Sequence, residues 1–173
     1  MVYNIVKFIL NVVIFLLFKI KIKGLENFPS SGGTIVYSNH KSLWDPIIIG
    51  CVLKRPIYYM AKEELFRYPG FGFLLKKINA FPVKRGTADR KAIKKSLEIL
   101  RSGKVLGIFP EGTRSKDGKL QEPEPGIALL AIKHKDIHLV PTLIKGNYRL
   151  FSRVDLIFGD PIRYNTDIEK ANA

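Results

Sequence analysis

His40 and Asp45 stand with four residues between them in the polar run Ser38-Asn39-His40-Lys41-Ser42-Leu43-Trp44-Asp45-Pro46. A carboxylate within reach of a histidine can accept the Nδ1 proton, fix the tautomer and leave Nε2 as a general base. The chemistry that follows is activation of a hydroxyl group. Read alone, the same residues also describe an aspartate that only caps a helix and a histidine that only fills a turn. An ionised carboxylate has roughly four acceptor sites, so Asp45 could serve both ends.

The elements around the loop can be read from residue type. Gly33-Thr34-Ile35-Val36-Tyr37 is β-branched and aromatic, hence strand-like, and Ile47 to Leu53 is a continuous apolar run with Pro46 at its mouth. Asp45-Pro46 reads as a helix start, Asp at the N-cap and Pro at the first helical position. A second polar block, Pro110-Glu111-Gly112-Thr113-Arg114-Ser115, follows the apolar strand candidate Val105–Phe109. Open α/β sheets bind their ligands at the carboxyl ends of strands. There Gly112 permits close backbone approach, Thr113 offers a hydroxyl, and Arg114 offers a planar fork suited to phosphate. Glu111 could hold that arginine or accept from a glycerol-like hydroxyl; an ordinary surface Glu–Arg pair is the plainer reading.

The residues Asn39-His40-Lys41-Ser42-Leu43-Trp44-Asp45 and Phe109-Pro110-Glu111-Gly112-Thr113-Arg114-Ser115 resemble the first and third signature blocks of the glycerolipid acyltransferase family. Phe81-Pro82-Val83-Lys84-Arg85-Gly86 looks like the second block and Val140-Pro141-Thr142 like the fourth, so the resemblance runs from about Lys23 to Ile162. It implies that His40 deprotonates an acceptor hydroxyl, that Asp45 orients His40, and that the hydroxyl attacks an acyl thioester with no acyl-enzyme. Arg85 and Arg114 would then bind the acceptor phosphate, with Glu111, Gly112 and Thr113 at the substrate. The implied reaction moves an acyl group from acyl-CoA or acyl carrier protein to lysophosphatidic acid in phospholipid biosynthesis, without a cofactor. Glycerol-3-phosphate, another lysolipid, or a non-catalytic lipid-binding role are the alternatives. Backbone N–H groups between Asn39 and Ser42, or at Gly112, are candidate oxyanion donors. Thr142 stands where the family more often has a small aliphatic residue, and Gln121–Gly126 is more acidic than expected.

The length of 173 residues and a hydrophobic content of 46% suit one compact domain. Strand-like runs at 57–60, 80–83, 105–109, 139–144 and 154–158 alternate with helical stretches at 46–53, 71–78, 88–101 and 127–133. This predicts an α/β domain, a mixed sheet flanked by helices, over residues 23–173. Pro82 and Pro141 point to edge strands or strand starts. Arg67–Phe73, aromatic and glycine-rich, could line an acyl tunnel or simply be a packed loop. The short tail after Asn165-Thr166-Asp167 is expected to fray.

Residues 1–22 form a separate segment. Phe8 to Phe18 is strongly apolar between Lys7 and the run Lys19, Lys21, Lys23. A span needs about 20 apolar residues, so the segment suits an interfacial or partly inserted helix with snorkelling lysines, retained because no small-residue cleavage site follows. The lysines after it place the domain on the cytoplasmic face of the membrane. A net charge of +14 favours an anionic partner. On the helix expected after a Thr87 cap, Ile93, Leu97 and Leu100 form an apolar stripe opposite Arg90, Lys91, Lys94, Lys95 and Arg101. That basic face suits an acidic membrane or the acidic donor. Nucleic acid is disfavoured, since no aromatic residues interleave the charges. His134 and His138 could pair as zinc ligands with His40, but residues 136–140 read as a turn into a strand, so no metal is expected. The single Cys51 lies in an apolar run and reads as a buried structural thiol.

Overall fold

The computed structural model describes residues 2–86, 89–115, 121–123, 130 and 136–163. Its elements in chain order are helix α1 (Val2–Leu17), strand β1 (Lys19–Lys23), β2 (Thr34–Ser38), α2 (Trp44–Val52), β3 (Ile57–Lys62), α3 (Phe71–Lys77), β4 (Ala80–Val83), α4 (Arg90–Arg101), β5 (Val105–Ile108), β6 (His138–Lys145), β7 (Arg153–Phe158) and β8 (Ile162–Arg163). Short 3-10 turns occupy Leu25–Asn27 and Glu63–Arg67. The strands form one mixed sheet in the order β1-β7-β6-β2-β5-β3-β4, with β8 also pairing β6.

From β6 to β4 every neighbouring pair is parallel, whereas β7 and β8 run antiparallel to β6. The carboxyl ends of β2, β3, β4, β5 and β6 therefore share one edge of the sheet. Central strands buried on both faces read as continuous apolar runs, and β5 is buried at all four positions. One face packs α1 and α2 through Ile14, Phe18, Val36, Ile48, Ile49 and Leu53. The other packs α4 and Leu130 against Ile35, Leu106, Ile108 and Ile137.

Segment 1–22 is not a single helix. After α1 the alternating Lys19-Ile20-Lys21-Ile22-Lys23 extends along β7, because period two puts its lysines to solvent and its backbone on the sheet. Lys7 does not snorkel: its ammonium donates to the carbonyl of Leu53, which caps the C-terminus of α2 and carries the negative end of that helix.

Pro82 lies on the edge strand β4, as expected, but Pro141 lies within β6, which has β2 on one side and β7 and β8 on the other. In an antiparallel pair, a residue's N–H and C=O project to the same side of its strand. The Pro141 oxygen accepts from the Gly159 N–H at 2.8 Å, so the donorless proline nitrogen faces the gap between β7 and β8 and no β2 bond is lost.

Helix α4 begins at an Asp89 cap whose Oδ1 accepts from Lys91 and Ala92 N–H; Thr87 lies outside the described residues. Its buried stripe is Ala92, Ser96, Ile99 and Leu100, with the five cations exposed. The expected helix at 127–133 lies outside the described residues except for the buried Leu130, as do His134 and the tail from Asn165.

At the end of the sheet opposite the loops, Arg55 closes the strand entrances. One Nη donates to Pro29 O and Thr34 Oγ1, both at 3.0 Å, and the other to Gly32 O at 2.7 Å and Gly103 O at 2.6 Å. A lysine ammonium cannot span four acceptors set in two directions. Arg55→Ala should cost about 2 kcal/mol in urea unfolding, with Arg55→Lys recovering only part of it.

Candidate active site

The turn between β2 and α2 has no ladder of its own, so side chains must hold its shape. Asn39 does so at one end: its Nδ2 donates to Ile144 O at 3.0 Å and its Oδ1 accepts from Ile144 N–H at 2.8 Å, tying the turn to β6. Asp45 holds the other end. Its Oδ2 accepts from Lys41 N–H at 2.6 Å, Ser42 N–H at 2.7 Å and His40 Nδ1 at 2.8 Å, and its Oδ1 accepts from the Tyr148 hydroxyl.

Asp45 is therefore not the N-cap expected from Asp-Pro. The cap is Leu43, which gives no side-chain bond, and Asp45 sits within the first turn reaching back over the loop. Burial by itself pushes the Asp45 carboxyl up, but the bonds from His40, Ser42, Tyr148 and Lys41 outweigh it and hold the group below its ordinary value. An ionised carboxylate can only accept, so His40 carries its proton on Nδ1 and Nε2 keeps a free lone pair.

The His40 ring stacks on Phe109 with centroids 4.0 Å apart, and Phe109 lies parallel to Tyr59 at 6.1 Å. Gly107 makes room for this stack, since a Cβ there would come within 2.1 Å of the Tyr59 ring. Only 11% of the imidazole surface reaches solvent.

The second block clasps the His40 backbone from both sides. The His40 N–H donates to Glu111 Oε1 at 2.9 Å, and the His40 oxygen accepts from Ser115 N–H at 2.8 Å. Glu111 Oε2 accepts from Gln121 N–H at 3.3 Å, so this buried glutamate acts as a strut between loops and not as the partner of Arg114. Gly112, in a left-handed conformation at φ 63°, turns the chain, and Thr113 and Arg114 stand exposed between the two clasp points.

Arg85 is exposed on the turn after β4. That turn shares the carboxyl edge with His40 but lies three strands away, roughly 14 Å along the sheet. Of the proposed oxyanion donors, four are already committed: His40, Lys41 and Ser42 N–H to carboxylates, and Gly112 N–H to Phe109 O at 3.0 Å.

Tyr148 escaped the sequence reading; the only local signal was a lone aromatic in a Gly-Asn turn after the fourth block. It adopts φ 54°, unusual for an aromatic residue, and its ring meets Phe18 edge-on at 5.8 Å. His138 begins β6 opposite Thr34, at the end of the sheet away from His40, which separates two of the three proposed zinc ligands. Among the described residues no cluster of His, Cys, Asp or Glu could hold a metal ion. Cys51 is buried beneath α1, and burial pushes its thiol up to about 11.

Because Asp45 is depressed in the folded state, its contribution to stability is complete above the ordinary value of 3.8 and is lost as pH falls through the lower folded value. Asp45→Asn should be less stable than the parent by about 3 kcal/mol at pH 7, and denaturation curves should show the gap narrowing below pH 4. A gap independent of pH would contradict this assignment.

Sequence and structure comparisons bear on the same residues. A family model described as Acyltransferase matches residues 19–145. The chain is 36% identical over 160 residues to the 1-acyl-sn-glycerol-3-phosphate acyltransferase of Bacillus subtilis, covering 88% of this chain and 78% of that one. The enzyme of the same name from Streptococcus pneumoniae is 32% identical over 145 residues, covering 80% of this chain and 53% of its own length. A chloroplastic relative from Arabidopsis thaliana is matched over 40% of its length. The crystal structure of the 1-acyl-sn-glycerophosphate (LPA) acyltransferase PlsC from Thermotoga maritima superposes with a TM-score of 0.74 at 26% identity, over 99% of this chain and 72% of that one. With both polar blocks and the strands that carry them inside the matched range, this chain belongs to the acyltransferase family.

Proposed function

We propose that this protein transfers a fatty acyl group from a thioester, acyl-CoA or acyl carrier protein, to the sn-2 hydroxyl of 1-acylglycerol-3-phosphate, yielding phosphatidic acid. The observation that carries the reading is the His40 Nδ1–Asp45 Oδ2 bond of 2.8 Å around a buried, ionised carboxylate. His40 Nε2 takes the hydroxyl proton as the oxygen bonds to the thioester carbonyl carbon. The tetrahedral intermediate then expels the thiolate, which receives the proton back from the imidazolium. Product ester and free thiol leave, and no protein nucleophile is acylated.

Arg114 and Arg85, both exposed on the carboxyl edge, are the cations offered to the acceptor phosphate. Glu111 and Gly112 shape the loop that presents Arg114. The names of the relatives support the acceptor.

The apolar stripe Val2, Ile5, Phe8, Ile9, Val12, Phe15 and Leu16 on α1 is exposed, as are Leu150 and Phe151 beside its end. At 16 residues α1 is about 24 Å long, shorter than the ~30 Å hydrocarbon core, and no helix among the described residues is long and apolar enough to cross a membrane. Such a helix lies in the interface, which suits an enzyme working on a lipid at the cytoplasmic face of the membrane.

His40→Ala should retain the circular dichroism spectrum of the parent and melt cooperatively at a lower midpoint, since a buried ring and one donor to Asp45 are lost, while turnover falls by about a thousandfold. A folded His40→Ala protein with substantial activity would remove the mechanism. Assayed over a panel of acceptors, lysophosphatidic acid should be acylated and glycerol-3-phosphate should not. Tyr148→Phe keeps the ring against Phe18 but deletes the donor to Asp45. With one donor fewer, Asp45 holds the imidazole less firmly, so kcat should drop about tenfold with KM little changed.

A further inference from the structure

The segment Arg67–Phe73, read from sequence as a possible tunnel lining, and the rest of α3 to Lys77 point their large side chains outward. Tyr68 is 64% exposed and Phe73 65%, with Phe71 and Leu74 exposed beside them. Gly72 turns inward, close enough to the Phe66 carbonyl that a Cβ would come within 2.5 Å, so α3 sits flush on the preceding loop and its outer side is left uncovered. Scattered apolar residues are ordinary on a protein surface, but four large ones within seven positions are a contiguous patch.

The charges within the segment have one sign, and the carboxylates just before it, Glu63 and Glu64, pair with Lys84 and Lys62. Arg67, Lys76 and Lys77 flank it, no carboxylate lies between Arg67 and Lys77, and the Lys77 ammonium stands 5.1 Å from the centroid of the Phe73 ring. The combination of exposed aromatics with cations at both ends is that of a surface that enters the headgroup region of an anionic bilayer. A second copy of the chain fits worse, since a two-fold contact through this patch would set its three cations against their own copies.

The patch and α1 can touch the same membrane. Helices α2 and α3 join parallel strands in the same direction across the sheet, β2 to β3 and β3 to β4, so right-handed crossovers place both on one face. Helix α1 packs on α2 in that layer. A single helix lying in the interface leaves the domain free to roll about its axis. A second contact off that axis stops the roll and sets the carboxyl edge with His40 at a constant angle to the lipid.

We infer that Tyr68, Phe71, Phe73 and Leu74, with Arg67, Lys76 and Lys77, form a second bilayer-docking element, specific for anionic lipid and separate from α1. The inference rests on the proposal that the enzyme meets its acceptor at a membrane.

The test uses the full chain and vesicles of phosphatidylcholine with or without phosphatidylglycerol. Phe71→Ser/Phe73→Ser should partition into anionic vesicles about tenfold less than the parent, with unchanged turnover of a short-chain, monomeric lysophosphatidic acid. Arg67→Gln/Lys76→Gln/Lys77→Gln should erase most of the preference for anionic over neutral vesicles. In Phe73→Trp, the emission that exceeds the parent's Trp44 signal should shift to the blue when vesicles are added.

Partitioning of the serine variant equal to that of the parent, or unshifted emission from Phe73→Trp, overturns the inference. So does loss of a concentration-dependent dimer in the serine variant with vesicle binding intact, which would make the patch a self-association face. Phe8→Ser/Phe15→Ser separates the two membrane readings. If it alone loses binding, α1 stands as the anchor and the second element falls; if only the α3 variant loses binding, the anchor role of α1 falls. A parent chain that binds no vesicle overturns both.

Discussion

A carboxylate taken out of water costs several kcal/mol unless its lone pairs are met, and the carboxyl edge of the sheet is organised around meeting those of Asp45. Four donors converge on it: the ring of His40, the N–H groups of Lys41 and Ser42, and the Tyr148 hydroxyl. Three of them come from the loop that Asp45 itself follows. The charge therefore determines the path of the loop as well as the tautomer of His40. A neutral side chain in its place would leave the Lys41 and Ser42 donors short of an acceptor as well as the imidazole unoriented.

The remaining rigidity is supplied across the sheet. Because β2, β5 and β6 are parallel neighbours, their carboxyl ends deliver the His40 loop, the Phe109–Ser115 turn and Ile144 to one place. Asn39 continues the β6 pairing with its side-chain amide, while Glu111 and Ser115 grip the amide and carbonyl of His40. With the ring held on Phe109 and the backbone held at both ends, Nε2 is the one part of His40 left for chemistry. The same arrangement consumes the N–H groups of His40, Lys41 and Ser42.

The N-terminal helix is wired into this edge. Phe18, just past the end of α1, meets Trp44 edge-on at 5.4 Å and Tyr148 at 5.8 Å; Trp44 precedes Asp45 in the chain, and Tyr148 donates its hydroxyl to Asp45. Leu17 accepts from the Phe151 N–H, joining the helix end to the loop that carries Tyr148. The exposed apolar stripe of α1 and the Phe18 contacts that lead to Asp45 thus lie at one helix and its end.

The strands β2 to β7 were legible because each is a short β-branched or aromatic run between breakers, and both polar blocks were legible because residue type and spacing specify them locally. Strand β1 was hidden in an apolar segment whose lysines read as membrane flanks, and Pro141 was misjudged because its tolerance depends on a gap between two partner strands. The pairing of His40 with Asp45 could be expected from spacing, since both ends lie within one turn of chain. The donor from Tyr148, the clasp by Glu111 and the outward face of Arg67–Lys77 could not be. Local sequence determines which groups are present and which conformations they prefer. Which distant groups then satisfy a buried charge, and which apolar side chains remain without cover, is decided only when the sheet brings segments about a hundred residues apart into contact.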